Sequence, residues 1–260
     1  MDFITTLDGC RIAYRWDGPQ DAPVLLLSNS LGTDHAMWEP QISGLAVRFR
    51  VLRYDQRGHG RSDAPAGAYS MDRLGHDALD LLDALGIAKA DFCGLSLGGM
   101  VGQWLAVHAP ERIGKLILAN TSAYMGLPAN WQSRIDSVRE QGMAPLAQAS
   151  IARWFTPGFA DRMPDAMAPI HAMLLATDPV GYAGCCGAIR DMDQRPTSFL
   201  NTLPTLVIAG AQDPATPVAA SEFLAERARH GRIEILADAA HLSNVEQPEA
   251  FLKSMLAFLA

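Results

Sequence analysis

The sequence predicts an α/β protein: a mostly parallel sheet flanked by helices, with a helical cap inserted into it. Three observations carry that prediction. Short runs rich in branched apolar residues alternate with amphipathic stretches, the pattern of parallel strands joined by helices. The alternation stops after Asn120 and strand character resumes only near Pro204. The chain has 260 residues, 49% of them hydrophobic, enough for one sizeable core rather than two independent catalytic domains.

In chain order, buried strands are expected at 24–28 (VLLLS), 51–54, 90–94, 116–119 and 206–209, each followed by turn residues. Between the second and third, the periodicity of Leu74, Ala78, Leu81, Leu82 and Leu85 predicts a helix over 71–85, with Ser70 as N-cap and Gly86 just past its end. A helix following residue 96 ends before Pro110. Residues 121–200 carry Trp, Met and Pro with helical but no strand character. They read as a cap, because loops at the carboxyl ends of strands are where an open α/β sheet builds its site. The expected division is therefore a core of 1–120 and 201–260 and a helical cap of 121–200. A helix opening at Thr216-Pro217, with Thr216 as N-cap, a strand at 233–236 and a last helix over 245–259 complete the chain.

The formal net charge of -7 provides no basic field for nucleic acid or an anionic membrane. A basic n-region followed by an apolar stretch is missing from the N-terminus, and no segment approaches the roughly 20 apolar residues of a membrane span. The expectation is a protein of the cytoplasm. Cys10, Cys93, Cys185 and Cys186 lack the paired spacing of a zinc site and suit a reducing compartment. Cys185-Cys186 reads as cap packing. No metal and no cofactor are expected.

The chemistry is carried by Gly94-Leu95-Ser96-Leu97-Gly98, a G-x-S-x-G string between a predicted strand and a predicted helix. A serine on so sharp a turn leaves no room for side chains at 94 and 98, and the helix that follows aims N–H groups and a positive dipole end at a developing oxyanion. The string alone also fits a mere tight turn, so context decides. A serine hydroxyl needs a base, and the base needs an anion to fix its tautomer. His241 follows the predicted strand at 233–236, in a loop that Ser243 and Glu246 could anchor as a capping box. Asp213 lies in the loop after the strand at 206–209; it could be a plain turn residue, except that Thr216 already serves as the cap of the next helix. The order Ser96, Asp213, His241 is that of α/β-hydrolases. Ser96 is the expected nucleophile, His241 the base, and Asp213 the residue that orients it. The backbone N–H groups of Leu31 and Leu97 are the expected oxyanion donors.

The other histidines read as structural. His108 suits a helix C-terminus, and His59 belongs to a turn stiffened by Asp55 and Arg57. His35, His76, His171 and His230 show no metal-ligand spacing, and Asp191-Met192-Asp193 reads as a solvated or ion-paired loop.

Over nearly its whole length the chain resembles the 3-oxoadipate enol-lactonase family. Ser28-Asn29-Ser30-Leu31-Gly32-Thr33, Arg53 to Gly60, Cys93 to Gly99, Arg153-Trp154-Phe155-Thr156-Pro157 and Ala240-His241-Leu242-Ser243-Asn244 carry the likeness. Many relatives place His-Gly where Asn29-Ser30 stands. The resemblance implies opening of an enol-lactone ring, in bacterial aromatic catabolism, on a small substrate that also bears a carboxylate. That carboxylate asks for a cation near the cap: Arg134, close to Trp131, is the first candidate, though it also fits a solvated cap-helix charge; Trp154 is the candidate for a wall facing the ring, or else packs the cap core, and Ser30 could donate from below. A broader carboxylesterase or a cofactor-free perhydrolase would use the same three residues, and a hydrolase-like binding protein could keep the fold without turnover. Dehalogenases and epoxide hydrolases are disfavoured, since they need a carboxylate where Ser96 stands.

Overall fold

The computed structural model describes all 260 residues. Eight strands form one sheet: β1 (Asp2–Thr5), β2 (Arg11–Asp17), β3 (Val24–Ser28), β4 (Arg50–Tyr54), β5 (Ala90–Leu95), β6 (Ile113–Ala119), β7 (Pro204–Gly210) and β8 (His230–Leu236). Their spatial order is β1-β2-β4-β3-β5-β6-β7-β8. Only the β1/β2 and β2/β4 pairs are antiparallel. β3, β5, β6 and β7 are covered on both faces, which is why they read as continuous apolar runs. β1 and β2, at one end of the sheet, carry polar residues and exposed positions that break any apolar run, and so escape that signal.

Eleven α-helices accompany the strands: α1 (Glu39–Leu45), α2 (Met71–Ala84), α3 (Leu97–His108) and, between β6 and β7, an inserted run that begins with α4 (Pro128–Gln141), α5 (Ala144–Trp154) and α6 (Phe159–Arg162). The run continues through α7 (Pro164–Ala176) and α8 (Pro179–Arg190), and the chain closes with α9 (Val218–Arg227), α10 (Ser243–Glu246) and α11 (Pro248–Leu259). From residue 121 to 200 the only β pairing is an isolated bridge, Tyr124 to Asp193. Ser70 caps α2 as expected, its side chain accepting from Arg73 N.

Three local expectations are corrected. The last helix is two, because Gln247 adopts a non-helical conformation ahead of Pro248, which opens α11. Thr216 is not an N-cap: α9 begins at Val218 with no side-chain cap. Ser243 and Glu246 form no capping box, each side chain being engaged elsewhere. No single helix is long and apolar enough to cross a membrane.

Candidate active site

The turn after β5 holds Ser96 at φ 55°, a left-handed conformation that costs a non-glycine residue of the order of 1 kcal/mol or more. Its neighbours make the strain persist. Ser96 N donates to Ala119 O at 2.9 Å, Thr121 Oγ1 donates to Ser96 O at 2.8 Å, and Gly98 N donates to Asn29 O at 3.0 Å. A methyl group on Gly94 would collide with the Gly98 carbonyl, and one on Gly98 with the Ser28 carbonyl. The glycines thus pack β5, α3 and β3 at backbone contact and push the serine out.

Asp213 and His241 come together from the loops after β7 and β8. His241 Nδ1–H donates to Asp213 Oδ2 at 2.8 Å, the carboxylate fixing the tautomer. Asn120 Nδ2 (3.0 Å) and Thr216 Oγ1 (2.6 Å) donate to the same oxygen, while the backbone N–H groups of Ala215 and Thr216 donate to Oδ1. Burial opposes the charge on Asp213, but the adjacent His241 and the donors from His241 and Thr216 outweigh it. They hold the carboxyl well below its usual range. The sequence reading gave Asn120 no part in the site and took Thr216 only as a helix cap. Only their places, at the end of β6 and before α9, could have pointed to them.

A cavity of about 800 Å³ brings Ser96 and His241 to one wall. They are not in direct hydrogen bond. Ser30, Leu31, Arg134 and Trp154 line the same cavity, so the structure gathers every expected substrate-facing residue. Leu97, at the first position of α3, leads with an N–H that has no intrahelical partner. Asn29 explains the departure from His-Gly: its Nδ2 donates to Tyr54 O at 2.7 Å and its Oδ1 accepts from Trp38 Nε1 at 2.9 Å, pinning the start of the loop. His59, read as structural, braces the same loop. Its Nε2 accepts from Gly32 N at 2.8 Å, next to Leu31, and its Nδ1–H donates to Arg57 O.

Arg153 was missed. It lines the cavity together with Arg134. Partial burial and the Arg134 charge both lower its pKa, and no carboxylate pairs with either guanidinium. Arg134 Nη2 donates to Ser150 Oγ at 3.1 Å, while its buried Nε and the hydroxyl of Ser30 lack partners. Two cations that line one cavity without a carboxylate partner suit an anion.

Elsewhere, Asp34, His35 and Asp55 place three ligand-type atoms within 4.8 Å, a grouping invisible in the spacing. Their atoms already serve the loop: Asp55 accepts from His35 N, His35 Nδ1 and Arg61 N, and Asp34 from Ala36 N. Asp191 and Asp193 are ion-paired with Arg190 and Arg195, and all four cysteines are free and buried.

Residues 23–248 match the family model for the alpha/beta hydrolase fold. The chain is 47% identical to 3-oxoadipate enol-lactonase 2 of Acinetobacter baylyi, over 96% of this chain and 93% of that one. It is 39% identical to 3-oxoadipate enol-lactonase 1 of the same species, over 98% and 96%. The crystal structure of the enol-lactonase from Burkholderia xenovorans superposes with a TM-score of 0.97 at 43% identity, covering 99% of each chain. The chain therefore belongs to the α/β-hydrolase family and, within it, to the group of the 3-oxoadipate enol-lactonases.

Proposed function

We propose that the protein is a serine hydrolase that opens the ring of 3-oxoadipate enol-lactone to give 3-oxoadipate. The observation that carries this reading is the pair of cavity guanidiniums, Arg134 and Arg153, unpaired and facing the cavity that Ser96 and the His241–Asp213 pair also line. Such a cavity suits a small ester or lactone with a carboxylate of its own. The helical segment 121–200, which supplies both arginines, acts as the cap.

In this reading His241 Nε2 takes the proton of Ser96 as Oγ attacks the lactone carbonyl. The N–H groups of Leu31 and Leu97 hold the oxyanion, each worth roughly 3 kcal/mol of barrier. Collapse breaks the ring C–O bond and releases an enol oxygen, still tethered in the acyl-enzyme, which takes the proton from His241 and tautomerises to the ketone. Water, deprotonated by His241, then attacks the ester of Ser96. The acid leaves and the serine recovers its proton. Arg134 and Arg153 hold the free carboxylate, Trp154 walls the ring, and Ser30 donates from below.

Purified protein is expected to consume the enol-lactone rapidly, read as loss of its ultraviolet absorbance. Ser96→Ala should lose several orders of magnitude in kcat while remaining folded. Slow lactone turnover beside brisk hydrolysis of neutral aryl esters would assign the protein as a broader carboxylesterase instead. Undiminished activity of Ser96→Ala would remove the nucleophile assignment.

A further inference from the structure

Glu246 is buried in α10, five residues after His241, and no cation pairs with it. Its charge is instead divided between two segments. Oε1 accepts from the backbone N–H of Thr156 at 2.8 Å and from the Thr156 hydroxyl, just beyond the end of α5. Oε2 accepts from Ala240 N at 2.8 Å, the residue before His241. A further bond runs beside it, from Leu242 N to Trp154 O at 3.0 Å. The Trp154 and His241 rings lie 6.3 Å apart between centroids. One carboxylate therefore fastens the loop carrying the base to the strip of chain that follows Arg153 and Trp154 in the cavity wall.

Building on the proposed hydrolytic site, we infer that Glu246 is a positioning residue that holds His241 in register with the anion-binding wall of α5, so that engaging a substrate carboxylate at Arg153 and placing the base are coupled. The chemistry needs a carboxylate. Three donors converge on two acceptor oxygens. An amide of the same shape has one oxygen and one NH2, so either orientation sets N–H against N–H on one side and releases that segment.

The test is Glu246→Gln, read as the ratio of kcat/KM for a carboxylate-bearing aryl ester, 4-nitrophenyl hydrogen glutarate, to that for neutral 4-nitrophenyl butyrate. Both need Ser96 and His241; only the first needs the arginines. The ratio is expected to fall roughly tenfold, within the usual range for coupling between two sites. Thr156→Val, which keeps the N–H but loses the hydroxyl, should shift it the same way by less, and the double variant should fall no further than Glu246→Gln alone. An unchanged ratio overturns the inference even if both rates drop with thermal stability, since Glu246 would then act on folding alone. If Glu246→Gln does not fold, the ratio in Thr156→Val decides. Because neither ester is the enol-lactone, failure of the proposed substrate leaves this outcome readable.

Discussion

Asp213 shows why a proposed site residue can be secure in sequence while its setting is not. Its place after β7 follows from chain order, but the five bonds that use up its oxygens come from Asn120, Ala215, Thr216 and His241, brought together only by the fold. Thr216 illustrates the limit: its residue type before a Pro-led helix fits an N-cap, yet the hydroxyl is captured by the buried carboxylate, a charged acceptor that outcompetes a helix end. The arrangement yields a prediction. Asp213→Asn keeps the shape but offers an amide where His241 Nδ1–H must donate, so the imidazole turns to the wrong tautomer. A loss in kcat of about 10⁴ with little change in fold is expected, read by steady-state kinetics and circular dichroism; a loss under tenfold would show that Asp213 does not orient the base.

At the scale of elements, the central strands and α2 were legible because burial on both faces and 3.6-residue periodicity are written locally. The antiparallel strands β1 and β2 at one end of the sheet were not, nor was the break before Pro248 within an otherwise helical pattern. Arg153 was hidden for another reason. Nothing in its neighbours separates a cavity cation from a solvated one until α4 and α5 are packed over the same space. The β3 loop shows the same dependence on distant partners, since His59 braces it across 27 positions of sequence. Burial pushes the His59 pKa below 6.5, so its neutral ring is the folded form. The sign follows: the unfolded chain binds the proton more readily, so the stability is fully present above about pH 6.5 and is lost as pH falls from there through the folded value. Asp213, also depressed, acts in the same direction only below its ordinary 3.8. Thermal melts should therefore show the midpoint dropping between pH 7 and 5. His59→Asn should lose roughly 1–3 kcal/mol of stability at neutral pH, the cost of an unsatisfied Gly32 N–H, with a correspondingly lower midpoint that varies less across that interval. An equal slope in both proteins would assign the pH dependence to other groups.

At the scale of the whole molecule, the question is whether the helices between β6 and β7 are a separable lid or part of one folding unit. One continuous apolar cluster includes Leu26 and Ile117 of the sheet together with Trp131, Leu174 and Tyr182 of the inserted helices. The seam is closed by α8, whose Gly181, Gly184 and Gly187 fall on one face at three-residue spacing and meet Gly58, Tyr69 and Ala68 respectively. Gly184 O accepts from Tyr69 N at 2.9 Å, and Cys185 Sγ reaches Arg57 O at 3.6 Å. At Gly181 the obstacle to any side chain is the backbone of Gly58, itself held at φ +78°, so it cannot rotate aside as a side chain would. Gly181→Ala must therefore lift the start of α8, with Tyr182 and Ile189 of the cavity wall behind it. The expected cost is about 1–3 kcal/mol of overpacking, lowering the melting midpoint by roughly 2–4 °C per kcal/mol in a chain of this size, with kcat/KM on carboxylate-bearing substrates reduced as well. Because the cluster is continuous, far- and near-ultraviolet melts should coincide in the parent and in Gly181→Ala. An early transition confined to part of the helical signal, leaving the sheet folded, would show instead that residues 121–200 come away as an independent unit and that α8 is their hinge side.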